Sequence, residues 1–134
     1  MKYLTPEQVL FIHARLIVET GGIHGVRDLA MLESAVARPQ ASFSGRDLYP
    51  DVFSKAAALL DSLINKHPFV DGNKRTAITA AALFLRRNDY RLTATHEELE
   101  KFTLLVAVSH PDLPTISAWF KAHSRPLKHG ESVA

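Results

Sequence analysis

The chain has 134 residues, enough for one domain with a buried core. It is 46% hydrophobic and 22% charged with a net charge of +2, the balance of a soluble globule and no argument for a nucleic-acid binder. The absence of cysteine excludes disulfides, thiol catalysis and thiolate metal sites, and suits a reducing cytoplasm.

The elements follow in chain order. Thr5-Pro6-Glu7-Gln8 predicts a helix start, with Thr5 as N-cap, Pro6 at the first position and Gln8 closing a capping box. Val9, Leu10, Ile12, Leu16 and Ile17 continue it at helical spacing, and Gly21-Gly22 stop it. An irregular loop runs through Gly25. Asp28 predicts the cap of a second helix through Leu29, Leu32 and Val36, ending before Pro39.

After a glycine-containing loop over Ser42 to Tyr49, Pro50 predicts the start of a third helix. Val52, Phe53, Ala56, Leu59, Leu60, Leu63 and Ile64 form its buried side. A fourth helix opens at Asn73, expected as its N-cap. It is apolar nearly all round after Lys74 and Arg75, which predicts the central buried helix.

Asn88 and Asp89 end it, and Tyr90-Arg91-Leu92 is a brief extended piece. Thr95 and Glu98 form a second capping box for a helix through Leu99, Phe102, Leu105 and Val106. His110-Pro111 breaks it, and Pro114 starts a last helix through Ile116, Trp119 and Phe120. No sustained period-two run exists, so the fold class is all-α, built around the fourth helix. The domain is expected over residues 1–125, with a flexible tail over 126–134. No apolar run approaches the roughly 20 residues that span a bilayer, and the N-terminus has no secretion-signal pattern.

Chemistry concentrates in residues 67 to 76, His-Pro-Phe-Val-Asp-Gly-Asn-Lys-Arg-Thr. An imidazole titrates near neutral pH, so His67 is a candidate general base. Asp71 offers the hard oxygens that Mg²⁺ prefers beside substrate phosphates. Gly72 removes a Cβ where a backbone or phosphate would come close. The helix amides after it, with Asn73, Lys74 and Arg75, favour an anion. Base, metal ligand and anion cradle together point to phosphoryl or nucleotidyl transfer. Each residue alone would be an ordinary loop or helix-start residue; their concentration between two apolar helices is the signal. The other six histidines (His13, His24, His96, His110, His123 and His129) lack partners at metal-ligand spacing. His24, in the glycine loop, is the best of them. Trp119 and Phe120 read as core.

The ten-residue string resembles the signature of the Fic/Doc (Fido) family, whose pattern is His-x-Phe-x-Asp/Glu-Gly/Ala-Asn-x-Arg. Phe69 falls on the pattern. The Asn-Lys-Arg-Thr ending, which includes Thr76, resembles the Doc ("death on curing") branch. AMP-transferring Fic enzymes usually read Gly-Asn-Gly-Arg with a second Arg three residues on; here those positions hold Lys74 and Ile78. Gly21 to Asp28, Ala37 to Gln40 and Asp47 to Pro50 also look Doc-like, so the resemblance covers roughly residues 1–125.

The resemblance implies a compact helical Fido domain and a cytoplasmic toxin. Such a toxin phosphorylates a threonine of elongation factor Tu and is silenced by a Phd-type antitoxin whose disordered tail folds onto it. ATP is then the substrate and Mg²⁺ the cofactor. Two other readings stand beside it. One is AMP transfer onto a protein hydroxyl, which Lys74 and Ile78 oppose. The other is an inert partner-binding module, which the complete set of base, ligand and cradle opposes.

Overall fold

Side-chain caps set most of the helix starts. The structure is a computed structural model that describes residues 1–128, 130 and 131. Thr5 caps α1 (Pro6–Thr20) through the expected box with Gln8, and Asp28 caps α2 (Leu29–Ala37). A 3₁₀ turn, Arg38–Gln40, follows. Strands β1 (Ser42–Phe43) and β2 (Arg46–Asp47) then pair as a hairpin around Ser44 and Gly45, both left-handed.

The third helix, α3 (Val52–Asn65), is capped by Asp51 with Ser54 and starts two residues later than the Pro50 start expected. Proline offers no side-chain acceptor, whereas the Asp51 carboxylate accepts from the Ser54 amide at 2.8 Å. Helix α4 (Asn73–Arg87) leads into β3 (Tyr90–Leu92). Thr95 and Glu98 box the start of α5 (His96–Ser109), and Asp112 caps α6 (Leu113–Ala122). Strand β4 (Ser124–Pro126) returns antiparallel to β3. The described residues thus form six α-helices with two small ribbons, the all-α class expected from the sequence.

Two expectations change in detail. Helix α4 is central, but α3 is the more completely enclosed, burying Ala56 through Leu60 and Leu63-Ile64. One flank of α4 instead stays half-buried at Ile78, Thr79 and Ala82. Several residues of the expected tail also make defined contacts. Arg125 and Pro126 lie in β4, the Leu127 amide donates to the Asp89 carbonyl at 2.9 Å, and Glu131 pairs with Arg125. A short polar strand has no hydrophobic pattern to announce it; it exists because β3 offers an edge. The flexibility expected further on falls on His129 and residues 132–134, outside the described residues.

The core runs between α3, α4 and α6, with Phe84, Phe102, Ile116 and Phe120 meeting Leu59, Leu60 and Leu63. Burying such side chains stabilises the fold by about 1.5–3 kcal/mol each. A charged group also lies inside. Lys55 is 1% exposed, donates to Asp47 and the Pro39 carbonyl, and lies 5.7 Å from the Tyr3 ring centroid. Arg38 nearby bonds Tyr49, Asp61 and Ser62. These two cations tie the turn after α2 and the β-hairpin to α3. No described helix is long and apolar enough to cross a membrane.

Candidate active site

The motif occupies the link from α3 to α4, and its side chains divide between solvent and core. His67 is left-handed, with φ +45°. That conformation follows the last turn of α3 and leaves the His67 ring exposed, while Pro68 and Phe69 turn into the core. Among the described residues the His67 ring makes no hydrogen bond, which leaves it available to an incoming group. The helix-end carbonyls are held by Arg27, which donates to His67 O at 2.6 Å and Lys66 O at 2.7 Å. Pro68 O accepts from the Arg27 and Asp28 amides, and Val70 N donates to Gly25 O. The Gly21–Asp28 loop therefore lies alongside the motif as an extended flap.

Asn73 does not cap α4. Gly72 is the N-cap, left-handed at φ +77°, and Asn73 is the first helical residue. The Asn73 amide instead reaches back to Phe69, accepting from its N–H and donating to its carbonyl, both at 2.9 Å. The physical reason is geometric. A left-handed Gly72 turns the loop so that the Phe69 backbone, not the helix amides, faces the Asn73 side chain. The first amides of α4 thus stay open to an anion. Glycine at 72 also meets a steric demand from α1. A Cβ there would stand 3.2 Å from Ile17 Cδ1 and 3.7 Å from the His13 ring, so the missing Cβ admits α1.

Asp71 is half-buried at the mouth of α4. Its Oδ2 accepts from the Ile23 amide at 3.0 Å and its Oδ1 from the Gly72 amide at 2.8 Å. Those bonds, the Ile23 one first, hold its carboxyl below the ordinary carboxylate value, and the charge of Arg75 adds to them. It is therefore an anion at neutral pH and the carboxylate available to a metal ion. Arg75 donates to the Thr20 hydroxyl and to Gly21 O. Gly22 is pressed against both: a Cβ there would come within 2.7 Å of Asp71 Oδ2 and 3.4 Å of Arg75. Lys74 is exposed, and Thr76 is buried with its hydroxyl unpartnered among the described residues.

Contacts therefore join Phe69, Asp71, Gly72, Asn73 and Arg75 to one another and to the flap. His24 is not drawn in: it is exposed, and its ring makes no hydrogen bond, ion pair or ring contact among the described residues. Two participants escaped the sequence reading. Arg27 gives no local signal. His13 does, because it occupies the buried α1 stripe between Val9 and Ile17, where a polar residue calls for a partner. A groove of about 650 Å³ opens beside the site between α1, α4 and α5, its walls including Leu16, Lys74, Arg75, Ile78, Leu99 and Leu104.

Comparison with known proteins shows the family. A sequence profile of the Fic/DOC family matches residues 3–85. The chain is 44% identical over 119 residues to the protein named Toxin Doc of Mycolicibacterium smegmatis, covering 87% of this chain and 89% of that one. It is 36% identical over 88 residues to Protein kinase doc of Escherichia phage P1, covering 66% of this chain and 69% of that one. By the profile match and these identities, the chain belongs to the Fic/DOC family, in its Doc branch.

Proposed function

We propose that this protein is the toxin of a toxin–antitoxin pair and transfers the γ-phosphoryl group of ATP to a Ser or Thr hydroxyl of a protein. Elongation factor Tu is the acceptor that the Doc resemblance implies. The observation that carries the reading is the mouth of α4: an exposed imidazole, an ionised carboxylate and uncapped helix amides flanked by Lys74 and Arg75. A relative bears the name protein kinase.

His67 takes the proton of the acceptor hydroxyl. The freed oxygen attacks the γ-phosphorus, the bond from that phosphorus to the β,γ-bridging oxygen breaks, and ADP leaves. The α4 amides, Lys74 and Arg75 hold the transferred group. Lys74 presents one compact charge suited to a terminal phosphoryl group, while Ile78 offers no charge for the remaining phosphates. The donor set fits Mg²⁺ delivered with ATP. Asp71 is one ionised carboxylate, the described residues hold no cluster of three metal-binding side chains, and Mg²⁺ commonly uses one or two carboxylates plus phosphate and water. When bound, the ion neutralises charge building on the leaving phosphate oxygens.

A Phd-type antitoxin is the proposed partner. The apolar groove beside Lys74 and Arg75 suits an amphipathic segment that orders on binding.

The test is to incubate the protein with elongation factor Tu and ATP labelled at the γ- or the α-phosphorus. The expected result is γ-label on the acceptor and no α-label. Transfer of α-label would overturn the reading in favour of AMP transfer, and no label from either would favour an inert module.

A further inference from the structure

We infer that His13 is a positioning residue for the motif loop: its ring fixes the Asp71–Gly72 peptide, and through it the carboxylate that receives the metal ion. The inference rests on the proposed Mg²⁺–ATP site. His13 lies on α1, 58 positions from Asp71, and is 4% exposed. It touches three motif residues at once. The ring lies flat on Phe69, with centroids 3.8 Å apart and planes 4° from parallel. It packs beneath Gly72, where a Cβ would stand 3.7 Å from its Nε2. Its Nε2 is 2.8 Å from the Asp71 carbonyl oxygen. A carbonyl only accepts, so Nε2 carries the hydrogen and donates.

The consequence follows from peptide planarity. The Asp71 carbonyl and the Gly72 N–H are opposite ends of one rigid unit. His13 holds the carbonyl end. The N–H end donates to Asp71 Oδ1 at 2.8 Å and so aims the carboxylate. Without the His13 donor this peptide loses its carbonyl anchor, and the placing of the carboxylate is left to the Ile23 bond to Oδ2. A leucine would fill the stripe between Val9 and Ile17 if packing were the whole role. Only a donor of this reach holds the carbonyl.

Three substitutions separate the donor from the packing. His13→Phe keeps a flat buried ring and removes the donor. His13→Gln keeps an N–H at similar reach and loses the ring. His13→Asn has a donor that falls short of the carbonyl, and replaces the Phe variant if that one does not fold. Folding is followed by circular dichroism. Mn²⁺ binding in the presence of β,γ-methylene-ATP is measured by the loss of the free-ion electron paramagnetic resonance signal, and the Mg²⁺ dependence of γ-phosphoryl transfer is measured beside it. The donor-less variant is expected to bind Mn²⁺ roughly tenfold more weakly, as loss of an outer-shell support does. Its transfer rate should recover at saturating Mg²⁺, and His13→Gln should bind metal almost as the unmodified protein does. A folded donor-less variant with unchanged Mn²⁺ affinity overturns the inference and leaves the proposed function standing. So does a Gln variant as weak as the Phe one. An unmodified protein that binds no Mn²⁺ with the nucleotide overturns both.

Discussion

Removing the Asn73 side chain strikes the link that ties the motif loop to the helix it opens. In Asn73→Ala the Phe69 N–H and carbonyl both lose their 2.9 Å partners. Each half-buried group left unpaired costs about 1–2 kcal/mol, or about 2–4 kcal/mol together. Against a total stability of about 5–15 kcal/mol this is a large fraction. For a chain of this size it lowers the melting temperature by about 10 °C. Asn73→Asp is the sharper probe. One carboxylate oxygen still accepts from the Phe69 N–H, but the other cannot donate to the carbonyl it faces. The N-terminal end of α4 returns about 0.3–1 kcal/mol by favouring a negative charge there. The Asp variant should therefore lose roughly half of what the Ala variant loses. Below about pH 4 the introduced carboxyl is protonated and can donate again, so its deficit relative to the unmodified protein should narrow. Urea and thermal unfolding followed by circular dichroism read all three proteins. A loss within about 0.5 kcal/mol for Asn73→Ala would refute the staple and leave the flap pairing as what holds the loop.

Three further outcomes are expected. His67→Ala should retain its melting temperature, because the ring is exposed and unbonded, yet lose phosphoryl transfer by roughly 10²- to 10⁴-fold; near-normal turnover would remove His67 as the base. Lys74→Gly should lower transfer of γ-label, with Ile78 still opposing transfer of α-label; unchanged γ-transfer would make Lys74 a merely solvated residue. Glu131 is pushed down to about 2 by the Arg125 guanidinium first and the Lys128 amide second. A depressed carboxyl contributes stability that is full above its ordinary value of 4.5 and lost as pH falls toward 2. The melting-temperature gap between Glu131→Gln and the unmodified protein should therefore close between those pH values, and a gap independent of pH would contradict the clasp.

The sequence by itself determined most of the helices, because their signals are local. Thr5 with Gln8 and Thr95 with Glu98 cap their helices within one turn, and apolar spacing marks the buried faces whatever lies against them. It also determined the family, because ten contiguous residues carry the motif. Tertiary structure decided what those residues do to one another. The left-handed turn at Gly72 sends the Asn73 amide back to Phe69, although a helix-start asparagine reads as a cap. His13 and Arg27 belong to the site only because α1 and the flap fold against it. No local pattern can encode a bond across 58 positions or a bond across 40. The same holds for β4, whose polar residues are ordered by the edge of β3 and not by any preference of their own. Local backbone and capping forces act within a few residues and are written in the order of the chain. The partners of a buried polar group are fixed only when packing brings distant segments together, because burial makes an unpaired group costly.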